Sequence, residues 1–202
     1  MVLSRRLLLA GLPALVTATR ARAQTAPSAR VRGTVAGRDG DTLTLTTRGG
    51  TTVNAVLTPK TLVTLVVPAS LDAIAKGSFI GTAAVPGPNG ALMALEVHIF
   101  PEAQRGAGEG HRPFDLQPES TMTNGTVGDV VVANGRTLTV GYKGGEKTVI
   151  VPDGTPIVGF DAGDPGLLVA GAHVIVFGTS NPDGSVAAGR ILVGKDGLVP
   201  PM

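Results

Sequence analysis

The chain has 202 residues, 43% of them hydrophobic and 3% aromatic, with neither cysteine nor tryptophan. Such a length buries a real core as one or two domains, and the lack of cysteine excludes disulfides, a thiol nucleophile and a thiolate metal site. The 17 basic residues against 15 acids give +2, but Arg5, Arg6, Arg20 and Arg22 lie in the first 23 residues, which hold no acid; the rest has 13 against 15, or −2. That balance lacks the positive field that phosphate backbones require and excludes a nucleic-acid binder.

Arg5 and Arg6, the apolar run from Leu7 to Val16, and Ala21-Arg22-Ala23 before Gln24 read as the three regions of a signal peptide over residues 1–23. Ser4-Arg5-Arg6 adds a partial twin-arginine character, and the sequence leaves the two export routes open. The apolar run is shorter than the about 20 residues a spanning helix needs, and no later run reaches that length. The expected product is a soluble periplasmic protein after a leader tail over 24–29.

From residue 30 the pattern becomes that of strands. Arg30–Ala36, Thr42–Thr47, Thr51–Leu57 and Thr61–Val66 are rich in β-branched and alternating apolar residues, separated by Asp39-Gly40, Arg48-Gly49-Gly50 and Pro59. Ser70 to Lys76 predicts a short helix capped by Ser70 and ended by Gly77. Ser78–Val85 and Ala91–Phe100 predict a last hairpin across Pro86–Gly90.

The second half repeats this order. Gly33-Thr34-Val35 recurs as Gly125-Thr126-Val127, Thr42-Leu43-Thr44-Leu45 as Thr137-Leu138-Thr139-Val140, Arg48-Gly49-Gly50 as Lys143-Gly144-Gly145, and Asn89-Gly90 as Asp183-Gly184. Turns that keep their register over a whole unit are the mark of a duplicated domain. The expected fold is all-β: two tandem OB-like small β-barrels from an internal duplication, each with one short helix, over 30–100 and 121–195. A linker would run over 101–120 and a tail over 196–202. Small sandwiches are the alternative.

The stretch Glu96–Asp115, together with Ser120–Val127, resembles a group of exported bacterial proteins with OB-like domains of unknown function, and the resemblance covers nearly all of the mature chain. Some of that group bear the name of a metal transporter permease. The resemblance implies the OB-like fold and no catalytic residues; a permease is excluded here by the lack of a spanning segment.

Residues 96–120 have no counterpart in either repeat and hold His98 and His111 with Glu96, Glu102, Glu109 and Asp115. Alternation puts Leu95, Val97 and Ile99 on one face of a strand and Glu96, His98 and Phe100 on the other. Imidazole with carboxylate suits zinc, and Met93 and Met122 would extend the choice to copper. The spacing fits no compact metal motif. Gly106-Ala107-Gly108-Glu109-Gly110 lacks the Lys-Ser/Thr of a phosphate loop and reads as a turn-rich linker. No Gly-x-Ser-x-Gly elbow is present, His173 reads as a half-buried structural histidine, and Asp161, Asp164 and Asp183 read as turn formers.

The sequence therefore predicts a periplasmic, non-catalytic binding or structural protein that recognises a protein or envelope component. Phe100, Pro101, Pro113 and Phe114 would pin the linker across the barrel junction. The alternative is a metal-binding accessory protein using the six residues above; a hydrolase comes last.

Overall fold

The computed structural model describes residues 27–131 and 136–202; the expected signal peptide lies outside them. Thirteen strands form one sheet. The first six are β1 (Ser28–Asp39), β2 (Thr42–Thr47), β3 (Thr52–Val56), β4 (Leu62–Pro68), β5 (Phe79–Pro86) and β6 (Leu92–Ile99). Then come β7 (Gly110–Pro113), β8 (Thr121–Val131), β9 (Thr137–Tyr142), β10 (Gly145–Ile150), β11 (Ile157–Ala162), β12 (His173–Ser180) and β13 (Val186–Gly194). Among the described residues there is no helix of seven or more residues, and none is long and apolar enough to cross a membrane.

All-β is the fold class, but two tandem barrels with helices are not the arrangement. The sheet runs β10-β9-β8-β5-β6-β11-β4-β13-β12-β1-β2-β3, and each end bends back, β10 pairing with β6 and β3 with β13. One closed ring therefore comprises β1, β2, β3, β12 and β13, and the other β5, β6, β8, β9 and β10. Each takes three strands from one repeat and two from the other, so the boundaries 30–100 and 121–195 do not separate the rings.

The reason lies in β4. Leu62-Val63-Thr64-Leu65-Val66-Val67 is β-branched and apolar, and stays extended. A seven-residue strand advances about 23 Å, against about 10 Å for the same residues as a helix. The chain is thereby carried past its own ring, along β13 and against β11, into the other. The predicted helix at Ser70–Lys76 is reduced to a 3-10 turn at Leu71–Ala73, and Ser70 makes no side-chain cap. Ile74 after that turn, and Leu168 after its counterpart at Pro165–Leu167, each join the core of a ring.

Each ring is filled by small aliphatic side chains. Leu43, Leu45, Val176 and Ile191 pack in the first, and Ile80, Val97, Leu138 and Val140 in the second. A third cluster joins the rings: Val66, Phe79, Phe100, Val158, Phe160, Ile175, Leu192 and Met202, with Phe114 and Phe177 against it. All five phenylalanines of the sequence meet there. Phe100 and Phe114 are two of the residues expected at a junction.

Bulges recur at equivalent places in the two copies, at Ala83/Ala84 and at Phe177/Gly178. The first skips Leu95, because Ala83 faces Glu96 while Ala84 faces Ala94. An extra residue reverses the alternation, so Leu92, Ala94 and Val97 enter the core and Leu95 does not share their cluster. Asp161 also departs from expectation and lies within β11.

Candidate functional site

Beyond the bulge, Glu96 and His98 share a face of β6 that turns toward the other ring, with Glu96 0% and His98 4% exposed. Glu96 Oε1 accepts a hydrogen bond from the Ala83 backbone N–H at 2.7 Å. His98 Nδ1 lies 3.0 Å from Glu96 Oε2. A carboxylate only accepts, so Nδ1 carries the proton and Nε2 is left to face elsewhere.

Where Nε2 points is decided by Gly81. In register, Gly81 on β5 stands between His98 on β6 and Asn124 on β8. A Cβ at position 81 would overlap His98 Nε2 and stand 2.6 Å from Asn124 Oδ1. The glycine opens the space into which imidazole and amide both lean. Asn124 Nδ2 donates to Ala107 O at 2.9 Å, which orients the amide. Its Oδ1 is buried and, among the described residues, has no hydrogen-bond partner.

The opposite wall is cationic. Arg30 on β1, Phe177 on β12 and Arg190 on β13 form one cross-strand row. The Phe177 ring lies 5.2 Å from the Arg30 guanidinium and 6.0 Å from that of Arg190, which is also 5.6 Å from Phe160. Arg112 on β7 joins them, held by donation to Gly108 O at 2.7 Å. Asp115 pairs with Arg30 and takes two hydrogen bonds from Arg32 at 2.8 and 3.2 Å. Those bonds, those from Arg32 foremost, hold its carboxyl at about 2. Among the described residues Arg190 has no hydrogen-bond or ion-pair partner; burial pushes its pKa down, because the cation is partly stripped of water.

Between these walls lies a cavity of about 120 Å³, lined by His98, Asn124, Met122, Arg30, Arg112 and Arg190 with four of the phenylalanines. Arg30, Arg112, Phe114 and Phe177 also line an open groove of about 660 Å³ on the surface. The groove and the cavity thus share a cationic, aromatic edge.

The six residues expected to gather as metal ligands do not gather. Glu96 and His98 stay together. Glu102 pairs with Arg105 at 2.6 Å, Glu109 accepts from the Lys143 backbone N–H at 2.9 Å, and Asp115 serves Arg30 and Arg32. His111 Nδ1 bonds Thr123 Oγ1 at 2.8 Å and its ring stacks on Tyr142. Burial, and then Lys147, lower the His111 pKa. Among the described residues no group of three or more His, Asp or Glu could hold a metal ion. Strand β7 explains the dispersal: it pairs with β8 and spreads the linker's side chains along an edge. His173 is half-buried and bonded to Thr34 Oγ1 at 3.0 Å.

Arg30, Arg112, Asn124, Arg190, Phe160 and Phe177 were not among the expected site residues. One signal for them was available. With the two copies aligned, Arg190 falls where Glu96 stands and Phe177 where Ala83 stands, so the repeats differ in chemistry at the site. Comparison with family models, with curated proteins and with solved structures finds no match.

Proposed function

We propose that this is an exported, non-catalytic binding protein that holds a small ligand in the cavity between its rings. The observation that carries this reading is Arg190. A cation partly withdrawn from water is costly unless a partner compensates it, and this one, half-buried and without a hydrogen-bond or ion-pair partner among the described residues, lines the cavity with the rings of Phe160 and Phe177 beside it. The groups at the cavity (three guanidiniums, an amide, the His98 imidazole and apolar rings) suit recognition of a small polar ligand. The expected partner, a protein or envelope component, becomes on this reading a small molecule. Five strands closing with a parallel contact between third and last favour an OB-like reading of each ring, completed by the other copy. Export rests on the leader-like residues 1–23.

The test is a panel of small polar metabolites screened for a rise in Tm of the purified protein. Compounds that stabilise the wild type and leave Arg190→Leu unmoved place the site in the cavity. Compounds that stabilise both equally put it elsewhere and overturn the reading.

A further inference from the structure

The two walls of the cavity ask for different things. On one side, Arg30, Arg112 and Arg190 present guanidinium donors, and the carboxylate paired with Arg30, Asp115, is committed to Arg30 and Arg32. On the other, Asn124 Oδ1 is an acceptor to which nothing donates among the described residues, on a residue 5% exposed. With Nδ1–H donating its hydrogen bond to Glu96, His98 leaves Nε2 as a second acceptor in that tautomer.

A bare inorganic anion answers the arginines and leaves the amide oxygen unsatisfied; a neutral polyol does the reverse. An unmet buried acceptor is destabilising, so a fitting ligand supplies both groups. The space limits its size: about 120 Å³, where roughly 10–15 Å³ admits one water, holds a molecule of few heavy atoms. Phe100, Phe160 and Phe177 give the rest of the lining an apolar surface, which suits a short apolar substituent.

Resting on the binding reading above, we infer that the cavity takes a small carboxylate with an O–H or N–H donor on the adjacent carbon, such as an α-hydroxy or α-amino acid. The carboxylate sits against Arg190 and Arg112, and the donor reaches Asn124 Oδ1. Guanidinium geometry suits a carboxylate held by two parallel bonds.

The experiment is calorimetric titration of the purified protein with L-lactate, L-alanine, propionate and sulfate. Lactate, alanine or both bind with one site per chain, and which of them does so tells hydroxyl from ammonium. Propionate, which keeps the carboxylate and lacks the donor, binds about tenfold more weakly or worse. Asn124→Leu erases the difference between lactate or alanine and propionate, and Arg190→Leu weakens all three. Arg112→Gln lies on an exposed strand, tests the cationic wall without touching the core, and weakens them as well. Propionate binding as tightly as both donors overturns the inference. If metabolites from the panel bind in a way that depends on Arg190 while neither lactate nor alanine does, the ligand class is wrong and the site stands. If none of the four binds and no panel compound depends on Arg190, both fall.

Discussion

Glu96 and Arg190 occupy the same position in the two copies of the repeat, 94 residues apart (96 and 190), each just past its strand's bulge. The acid is wholly buried and engaged by the Ala83 N–H and by His98; the base is half-buried and, among the described residues, has no ion-pair partner. Equivalent positions of the repeated sequence thus carry opposite charges, the acid behind His98 and the base itself at the cavity.

The engagement of Glu96 sets its cost of removal. Glu96→Leu strands a backbone N–H and an imidazole N–H in the interior, and we expect a loss of about 3 kcal/mol, with Glu96→Gln costing less. Urea denaturation measures it; a Leu variant within 1 kcal/mol of wild type would mean that the pair contributes little.

Gly81 makes a sharper case. Gly81→Ala drives a methyl into His98 Nε2 and against Asn124 Oδ1, with an expected penalty of about 1–3 kcal/mol. His98→Ala should relieve part of that penalty, so the double variant is less destabilised than the sum by about 1 kcal/mol or more. Strict additivity would refute the shared space.

For Arg190 the expected sign is reversed. Arg190→Leu removes a cation from an apolar setting, and the free protein should melt at an equal or higher temperature while ligand binding is lost. A clear fall in Tm would show that the contacts with Phe160 and Phe177 outweigh the desolvation.

Asp115 gives a prediction in pH. Its folded carboxyl titrates near 2, below an ordinary aspartate at about 3.9, so its stabilisation is complete above that unfolded value and disappears as pH falls toward 2. Asp115→Asn should be the less stable protein at pH 6 and lose its difference from wild type over that window. Tm measured against pH decides it.

His111 should titrate below the usual histidine range, since burial and Lys147 both oppose its charge. NMR titration is expected to give a midpoint under about 6.5, and Lys147→Gln should move it up. Because that pKa is depressed, the protein loses stability as pH falls from the ordinary value through the lowered one. A midpoint at or above the ordinary value would contradict this environment.

The all-β class, the strands and their turns were legible because each is written locally: alternation, and Gly-Gly and Asn-Gly turns. The exchange between copies was not, since β1 carries no mark that says whether β5 or β12 will lie beside it. The one local hint was Leu62–Val67, where β-branched residues resist the compact connection that would have returned the chain to its own ring. The site divides the same way. Glu96 and His98 belong together by their two-residue spacing, whereas Asn124, Arg30 and Arg190 meet them only through pairings set by the exchange. Placing Leu95 on one face with Val97 failed for a smaller reason, a bulge that shifts the alternation by one.

The crossing strands also fix an order of events in time. β1, β2 and β3 leave the synthesis machinery first, yet their ring closes only against β12 and β13, while the ring begun later is complete once β10 exists. The earliest strands must wait, open-edged, for the latest. A protein so wired folds slowly, gains no independent half from truncation between its repeats, and is exposed to joining its strands with those of a neighbouring chain whenever many copies fold at once.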